Sequence, residues 1–147
     1  MDQAQKFYRK WIDTAPGPIR GAARKKVLKR IGHDRRFQLF RHALLKELVQ
    51  DDPTNPQVHR RLALSYTRQR PASPADALKS WERFIDRSAD RTAATIAAGT
   101  ALNNTGGHRE AAQLFLRIPL ELLSRAPSQR GICTVLLTEV GTTMSFL

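Results

Sequence analysis

Histidine and cysteine are the side chains of this sequence best suited to catalysis or metal binding, but their spacing predicts neither. No histidine stands in a His-x-x-x-His or Glu-x-x-His pair, the spacings that bring two ligands to one helix face. His33 precedes Asp34, yet adjacent residues at a helix start seldom face each other, so helix capping explains them better than acid–base chemistry. The four histidines are His33, His42, His59 and His108.

Cys133 is the single cysteine, which excludes an internal disulfide and a zinc site built from several cysteines of this chain. It stands among apolar residues of a predicted helix, which indicates a small buried side chain rather than a nucleophile. Gly106-Gly107 lacks the pattern of a phosphate-binding loop and the strand before it, so it predicts a turn. We therefore expect no catalytic residues, no cofactor and no metal, and a protein that is not an enzyme.

Positive charge is the strongest compositional signal. The chain has 25 Lys and Arg against 13 Asp and Glu, a net charge of +12, and the first 50 residues carry +9 of it. Between Arg20 and Arg41 there are nine basic residues and one acidic residue, a field that attracts polyanions or acidic protein surfaces. Compositional bias is the alternative, because 18 of the 25 basic residues are arginines spread along the chain.

The elements that must position these charges are predicted to be helices. Apolar residues recur with a period of 3.6 along nearly the whole chain, and no segment alternates as a strand would. We predict a single all-α domain of about seven to eight helices, near residues 4–12, 19–31, 35–50, 56–69, 74 onward, 92–104, 108–117 and 128–140. On the first helix, one face collects Ala4, Phe7, Tyr8, Trp11 and Ile12.

Turn and capping residues divide these helices. Pro16-Gly17-Pro18 is expected to end the first helix and Gly32 the second. Asp34 and Asn55 are the expected N-caps of the third and fourth helices. Ser73-Pro74-Ala75-Asp76 is close to a capping box at the start of the fifth.

A 34-residue period appears when the helices are taken in pairs. Ala77 and Ala111 are 34 residues apart, and Trp81 and Phe115 repeat the interval. Helical hairpins of this kind cannot bury an apolar face alone, so stacked neighbours are expected to share one core. Small residues belong where two helices approach closely, and we expect this of Ala63, Ala77, Gly99 and Ala111.

With these residues the sequence resembles the tetratricopeptide repeat (TPR) family, whose unit is a 34-residue helix-turn-helix. It departs from the family pattern at Arg41, where a small residue is expected, at Ala98, where a large one is expected, and in a long turn before Ala77. The resemblance covers about residues 19–140, and another α-solenoid or a helical bundle is the alternative. It divides the chain into an N-terminal helix and turn (1–18), a basic degenerate hairpin (19–55), two repeats (56–89 and 90–125) and an incomplete repeat (126–147). The motif residues are Leu62-Ala63, Tyr66, Ala77, Trp81 and Phe84, then Ala98-Gly99, Leu102, Gly106, Ala111 and Phe115.

The resemblance implies a concave groove lined by the first helix of each unit, in which basic and Asn side chains hold an extended peptide. An arginine suits this role because its planar fork binds a carboxylate through two hydrogen bonds. The partner-binding residues expected on this basis are Arg24, Lys25, Lys29, Arg60, Leu64, Arg68, Asn103 and Asn104.

We therefore expect a non-enzymatic protein–protein interaction module, or scaffold, that binds an acidic peptide or protein surface. One alternative is a basic helical domain that binds a polyanion such as nucleic acid or an acidic polysaccharide. Phe37 and Phe40 match the core pattern rather than a base-stacking platform, so the nucleic-acid hypothesis depends on charge alone. The other alternative is an N-terminal docking domain of a larger transferase-type enzyme.

The two ends of the chain carry further expectations. No apolar segment follows the charged start, so we expect no signal peptide and a cytoplasmic protein. The most apolar stretch, 131–147, is too short to span a membrane and contains Glu139. The predicted helix at 128–140 has no partner helix after it, so its face of Ile132, Leu136 and Val140 is expected to pack on a second copy, on another protein or on the rest of a longer parent.

Overall fold

The computed structural model describes residues 1–123, which are all-helical and contain no strand. This confirms the predicted all-α helical-hairpin array, in which successive helices between residues 3 and 115 pack on one another. The predicted helix at 128–140, its apolar face and Cys133 lie outside the described residues. The elements are α1 (Gln3–Thr14), α2 (Gly17–Ile31), a 3-10 turn (Arg35–Phe37), α3 (Gln38–Asp51), α4 (Pro56–Arg68), α5 (Pro74–Arg87), α6 (Arg91–Asn104), α7 (His108–Phe115) and the short α8 (Leu120–Leu123).

Most helix ends follow the predicted capping chemistry. The side chain of Asp34 accepts a hydrogen bond from the backbone N–H of Arg36 at 2.9 Å, and Asn55 caps α4 in the same way at 3.0 Å. Gly32 follows α2 with a φ of +52°, a conformation that favours glycine. Ser73 is the N-cap residue of α5 and Pro74 its first helical residue, as predicted, but the Ser73 hydroxyl donates to the Asp76 carboxylate at 2.6 Å and makes no hydrogen bond with the backbone.

Two clusters of buried side chains form the core, and α4 contributes to both. The first cluster joins α1, α2 and α3, includes Phe37 and Phe40, and ends on Val58 and Leu62 of α4. The second runs from Ala63 of α4 through α5, α6 and α7. Because α4 buries side chains on two of its sides, it connects the basic N-terminal part to the repeats.

The 34-residue period corresponds to equivalent packing in the second cluster. Trp81 and Phe115 are both 1% exposed, and Ala77 and Ala111 are fully buried. A Cβ atom on Gly99 would lie 2.4 Å from Cε1 of Phe115, far inside contact distance. Small residues therefore stand where the helices approach most closely, as the sequence predicts.

The apolar face predicted for the first helix is wider than the face that α1 buries. Ile12 is completely buried, but Phe7 is 67% exposed and Trp11 is 43% exposed. The reason is that α1 has close neighbours on one side only, so a single narrow stripe of it reaches the core. Phe7 and Trp11 instead form an apolar cleft on the surface with Tyr8, Lys26 and Arg30 of α1 and α2.

Candidate functional site

A groove of about 540 Å³ lies among α2, α3 and α4. Five Lys and Arg side chains line it, together with one histidine and three leucines, and no Asp or Glu does. We refer to it as the basic groove. Its residues are Lys25, Leu28, Lys29, Gly32, His33, Gln38, Arg41, Leu45, Arg61, Leu64, Ser65 and Arg68.

Helical spacing explains how the sequence builds this groove. Residues at i, i+3, i+4 and i+7 lie on one face of a helix. On α2 this stripe runs from Lys25 to Gly32, and on α4 it runs from Arg61 to Arg68, 36 residues later. The helices α2 and α4 thus present equivalent faces to the groove, and α3 closes it between them with Arg41.

The groove contains four of the residues that the sequence predicts for partner binding, namely Lys25, Lys29, Leu64 and Arg68. Arg60 does not line it, and the neighbouring Arg61 does. Successive residues of an α-helix are rotated by about 100°, so a groove can include one and exclude the next. The repeat pattern indicates that α4 faces the groove, but the orientation that separates Arg60 from Arg61 depends on packing against α3 and α5.

Asn103 and Asn104 of α6 also lie outside the basic groove. The side-chain oxygen of Asn103 is 2.7 Å from Nδ1 of His108 at the start of α7, so it is engaged within its own hairpin. The groove therefore ends at α4 and does not extend to α6 as the prediction requires.

Arg24 is turned toward α3 and is nearly buried, so it does not line the groove either. Its Nε donates to Glu47 at 2.8 Å and its Nη1 donates to Asp51. Arg9 of α1 donates to both carboxylate oxygens of the same Glu47 at 2.9 Å. Burial lowers the pKa of Arg24, but the hydrogen bonds to Asp51 and Glu47 outweigh it and leave that pKa raised. Arg24 therefore connects α2 to α3, and Glu47 connects both helices to Arg9 of α1.

The charges that remain in the groove are poorly compensated. Lys25 forms an ion pair with Asp52 at 3.0 Å, whereas no carboxylate of residues 1–123 pairs with Lys29, Arg41, Arg61 or Arg68. An anion that enters the groove therefore meets four cations that form no ion pair with a carboxylate of the described part.

Arg41 is a partly buried cation of this groove with few hydrogen-bond partners. One of its terminal nitrogens donates to the Asp34 carbonyl at 3.1 Å, but its Nε is buried with no hydrogen-bond partner. Burial and then the charge of Arg68 lower the pKa of Arg41. The guanidinium is thus held beside another cation with fewer acceptors than it has donors.

Polar contacts fix the positions of groove side chains. Gln38 donates to the backbone carbonyl of Arg68, which satisfies an acceptor at the C-terminal end of α4. Nη1 of Arg68 is 3.3 Å from Nδ1 of His33. Because a guanidinium has no acceptor, Nδ1 of His33 is the acceptor in this contact.

A serine and a histidine meet beside the groove, a contact that sequence spacing does not reveal. Oγ of Ser65 is 2.8 Å from Nδ1 of His42, and burial followed by the charge of Lys46 lowers the pKa of His42. Ser65 lies inside α4 and His42 lies on α3, so this contact connects the two helices.

A second charged cavity has its charges paired within the protein. It has a volume of about 490 Å³ and is lined by residues of α5 and α6 and by the chain after α7. Arg117 pairs with Glu82 and Arg91 pairs with Asp86, both at 2.7 Å. Because Arg91 and Arg117 already pair with carboxylates, this cavity is a weaker candidate for anion binding than the basic groove.

The described residues contain no group of three or more His, Cys, Asp or Glu side chains arranged to hold a metal ion. Within residues 1–123, no helix combines the length and the apolar character required to cross a membrane. Comparisons of the chain with protein families, curated proteins and solved structures found no match.

Proposed function

We propose that this protein is a non-enzymatic interaction module that binds an acidic peptide or protein segment in the basic groove. The observation that carries the proposal is the set of four groove cations that pair with no carboxylate of residues 1–123, namely Lys29, Arg41, Arg61 and Arg68. Oppositely charged side chains of a partner would supply the missing counter-charges, and arginines can do so through paired hydrogen bonds.

The apolar residues of the groove favour a peptide over a nucleic acid as its ligand. Leu28, Leu45 and Leu64 lie among the cations, and Leu64 is half-buried, so it offers apolar surface to a ligand side chain. Phe37 and Phe40 are buried in the core, so neither offers a face on which a base could stack.

We also propose that the array is of the TPR type and works as a scaffold. Trp81 and Phe115, which are 34 residues apart, are equally buried, and α2 and α4 present equivalent faces to the groove. Both observations support this assignment. The single cysteine of the chain suits a reducing compartment, and we place the protein in the cytoplasm on that ground.

Charge reversal at adjacent residues of α4 tests the proposal. The probe is a fluorescein-labelled peptide of alternating Glu and Leu, titrated with the full chain and followed by fluorescence anisotropy. We expect Arg61→Glu to weaken binding by about tenfold or more, because it places a carboxylate in the groove. Arg60→Glu changes the net charge equally on the same helix but outside the groove, and we expect it to change the affinity by less than about twofold.

Each other outcome contradicts the proposal in a distinct way. Equal losses in the two variants would mean that the overall positive field binds the peptide, which is the polyanion hypothesis, and heparin would then compete at similar concentrations. No binding by the unmodified chain at physiological salt would remove the acidic-peptide hypothesis itself.

A further inference from the structure

The charge in the basic groove exceeds what a single carboxylate can neutralise. We infer that its specific ligand is a phosphorylated peptide segment, with the phosphate monoester held by Lys29, Arg41 and Arg68 and the neighbouring apolar side chain against Leu64. The inference rests on the proposed function, because it names the kind of acidic peptide that the groove selects.

The count of charges is the first argument. A phosphate monoester carries a charge of about −1.5 to −2 at pH 7 and three acceptor oxygens, whereas a carboxylate carries −1. Four groove cations have no carboxylate partner among the described residues, and Arg68 is close enough to Arg41 to lower its pKa. A dianion between these two guanidiniums neutralises both, and a monoanion leaves one of them uncompensated.

The positions of the cations on their helices are the second argument. Lys29 and Arg68 lie in the last turns of α2 and α4, where the helix dipole favours a cation, so helix stability alone accounts for these two. Arg41 lies in the first turn of α3 and Arg61 in the interior of α4, where the dipole gives a cation no stabilisation. Their presence in the same groove is explained by a strongly charged ligand.

The donors of the groove are the third argument. In residues 1–123, Arg41 has one protein acceptor, the Asp34 carbonyl, for its five N–H donors. Planar guanidiniums bind phosphate oxygens in pairs, and this is the geometry that Arg clusters use to hold phosphorylated residues.

Three labelled peptides that differ at one position test the inference. They share a short sequence of alanines and leucines with phosphoserine, glutamate or serine at the centre, and each is titrated with the full chain at constant ionic strength. We expect the phosphoserine peptide to bind about tenfold more tightly than the glutamate peptide and the serine peptide to bind most weakly. Equal affinities for phosphoserine and glutamate would overturn the inference and leave the proposed function intact, whereas no binding of either would overturn both.

Substitution of Arg41 distinguishes the contribution of its planar pair of N–H donors from that of its positive charge. Arg41→Lys keeps the positive charge and removes the planar pair of donors, so we expect the preference for phosphoserine over glutamate to fall to about threefold or less. Arg60→Lys, on the exposed side of α4, is the matched control and is expected to keep the full preference. An unchanged preference in Arg41→Lys would overturn the inference, and far-UV circular dichroism establishes that both variants are folded.

Nitrogen-15 NMR of the arginine side chains gives a readout that needs no substitution. On addition of the phosphoserine peptide we expect the Nε–H resonance of Arg41 to shift. The Nε–H of Arg24 already donates to Glu47 at 2.8 Å, so its resonance is the internal control and is expected to stay in place. A shift of Arg24 without one of Arg41 would overturn the inference.

Discussion

Arg24 and Lys25 are adjacent basic residues of α2 that differ in their expected contribution to stability. Arg24 is nearly buried and bound to Glu47 and Asp51, whereas Lys25 is half exposed and forms one ion pair, with Asp52. We expect Arg24→Gln to lower the free energy of unfolding by about 2 kcal/mol, since it leaves Asp51 without its charged donor and Glu47 with Arg9 alone. Lys25→Gln is expected to cost less than about 1 kcal/mol, as is usual for exposed pairs.

Urea unfolding at pH 7 measures both values. The two variants remove the same charge from neighbouring positions, so a difference between them reports burial and hydrogen bonding rather than net charge. Equal losses of stability would contradict the structural role of Arg24.

His42 makes the stability depend on pH in a predictable direction. Burial, and then the charge of Lys46, lowers its pKa below the ordinary value of 6.5. The unfolded chain therefore binds a proton more readily than the folded one, and the stability contributed by neutral His42 is lost as the pH falls below about 6.5. We expect the free energy of unfolding of the unmodified chain to fall between pH 7 and pH 5, and to fall less in His42→Gln.

Chemical unfolding at several pH values gives the two slopes. The amide of His42→Gln can still hydrogen-bond Ser65 but does not titrate. The difference between the two slopes therefore reports the protonation of His42. Parallel slopes would show that other groups control the acid sensitivity.

Among the elements, the contact between α6 and α7 is the least tolerant of added volume. A Cβ atom on Gly99 would lie 2.4 Å from the ring of Phe115, which is itself buried. We expect Gly99→Ala to lower the free energy of unfolding by about 1–3 kcal/mol, even though alanine favours helices. Gly17→Ala is the control, because nothing lies within 4 Å of its Cβ position at the start of α2.

The double variant Gly99→Ala/Phe115→Leu tests the physical cause. A smaller side chain at position 115 makes room for the added methyl group, so the two losses are expected to be less than additive. Strict additivity would mean that the ring of Phe115 is not what excludes alanine.

The sequence predicts the helices better than it predicts their orientation. Periodicity and capping residues place the ends of α1 to α7, where a boundary was predicted, within about three residues of their observed positions, because these signals are local. The side of α4 that faces the groove depends on how α3 and α5 pack against it, so the prediction includes Arg60 and omits Arg61. The sequence includes Arg41 in the basic run that begins at Arg20 and marks it as a departure from the repeat, but its place between α2 and α4 requires tertiary structure.

On the scale of the whole molecule, α4 determines whether the two core clusters unfold together. Leu62 belongs to the first cluster, Ala63 belongs to the second, and Tyr66 packs against both. Repeat arrays keep their cooperativity only while neighbouring units share enough interface. Because the connection passes through the interior of a single helix, we expect residues 1–123 to unfold in one transition.

The two tryptophans report this cooperativity from helices on either side of α4 in the chain. Trp11 is partly exposed on α1 and Trp81 is buried in α5, so Trp81→Phe leaves a probe of the first cluster and Trp11→Phe leaves a probe of the second. In each variant we expect the urea midpoint from fluorescence to coincide with that from circular dichroism.

Tyr66→Ala removes the side chain shared by the clusters and is expected to separate the two midpoints when combined with either change. Separate midpoints in the presence of Tyr66 would show instead that the basic N-terminal part and the repeats fold independently, and that the groove between α2 and α4 spans two cooperative units.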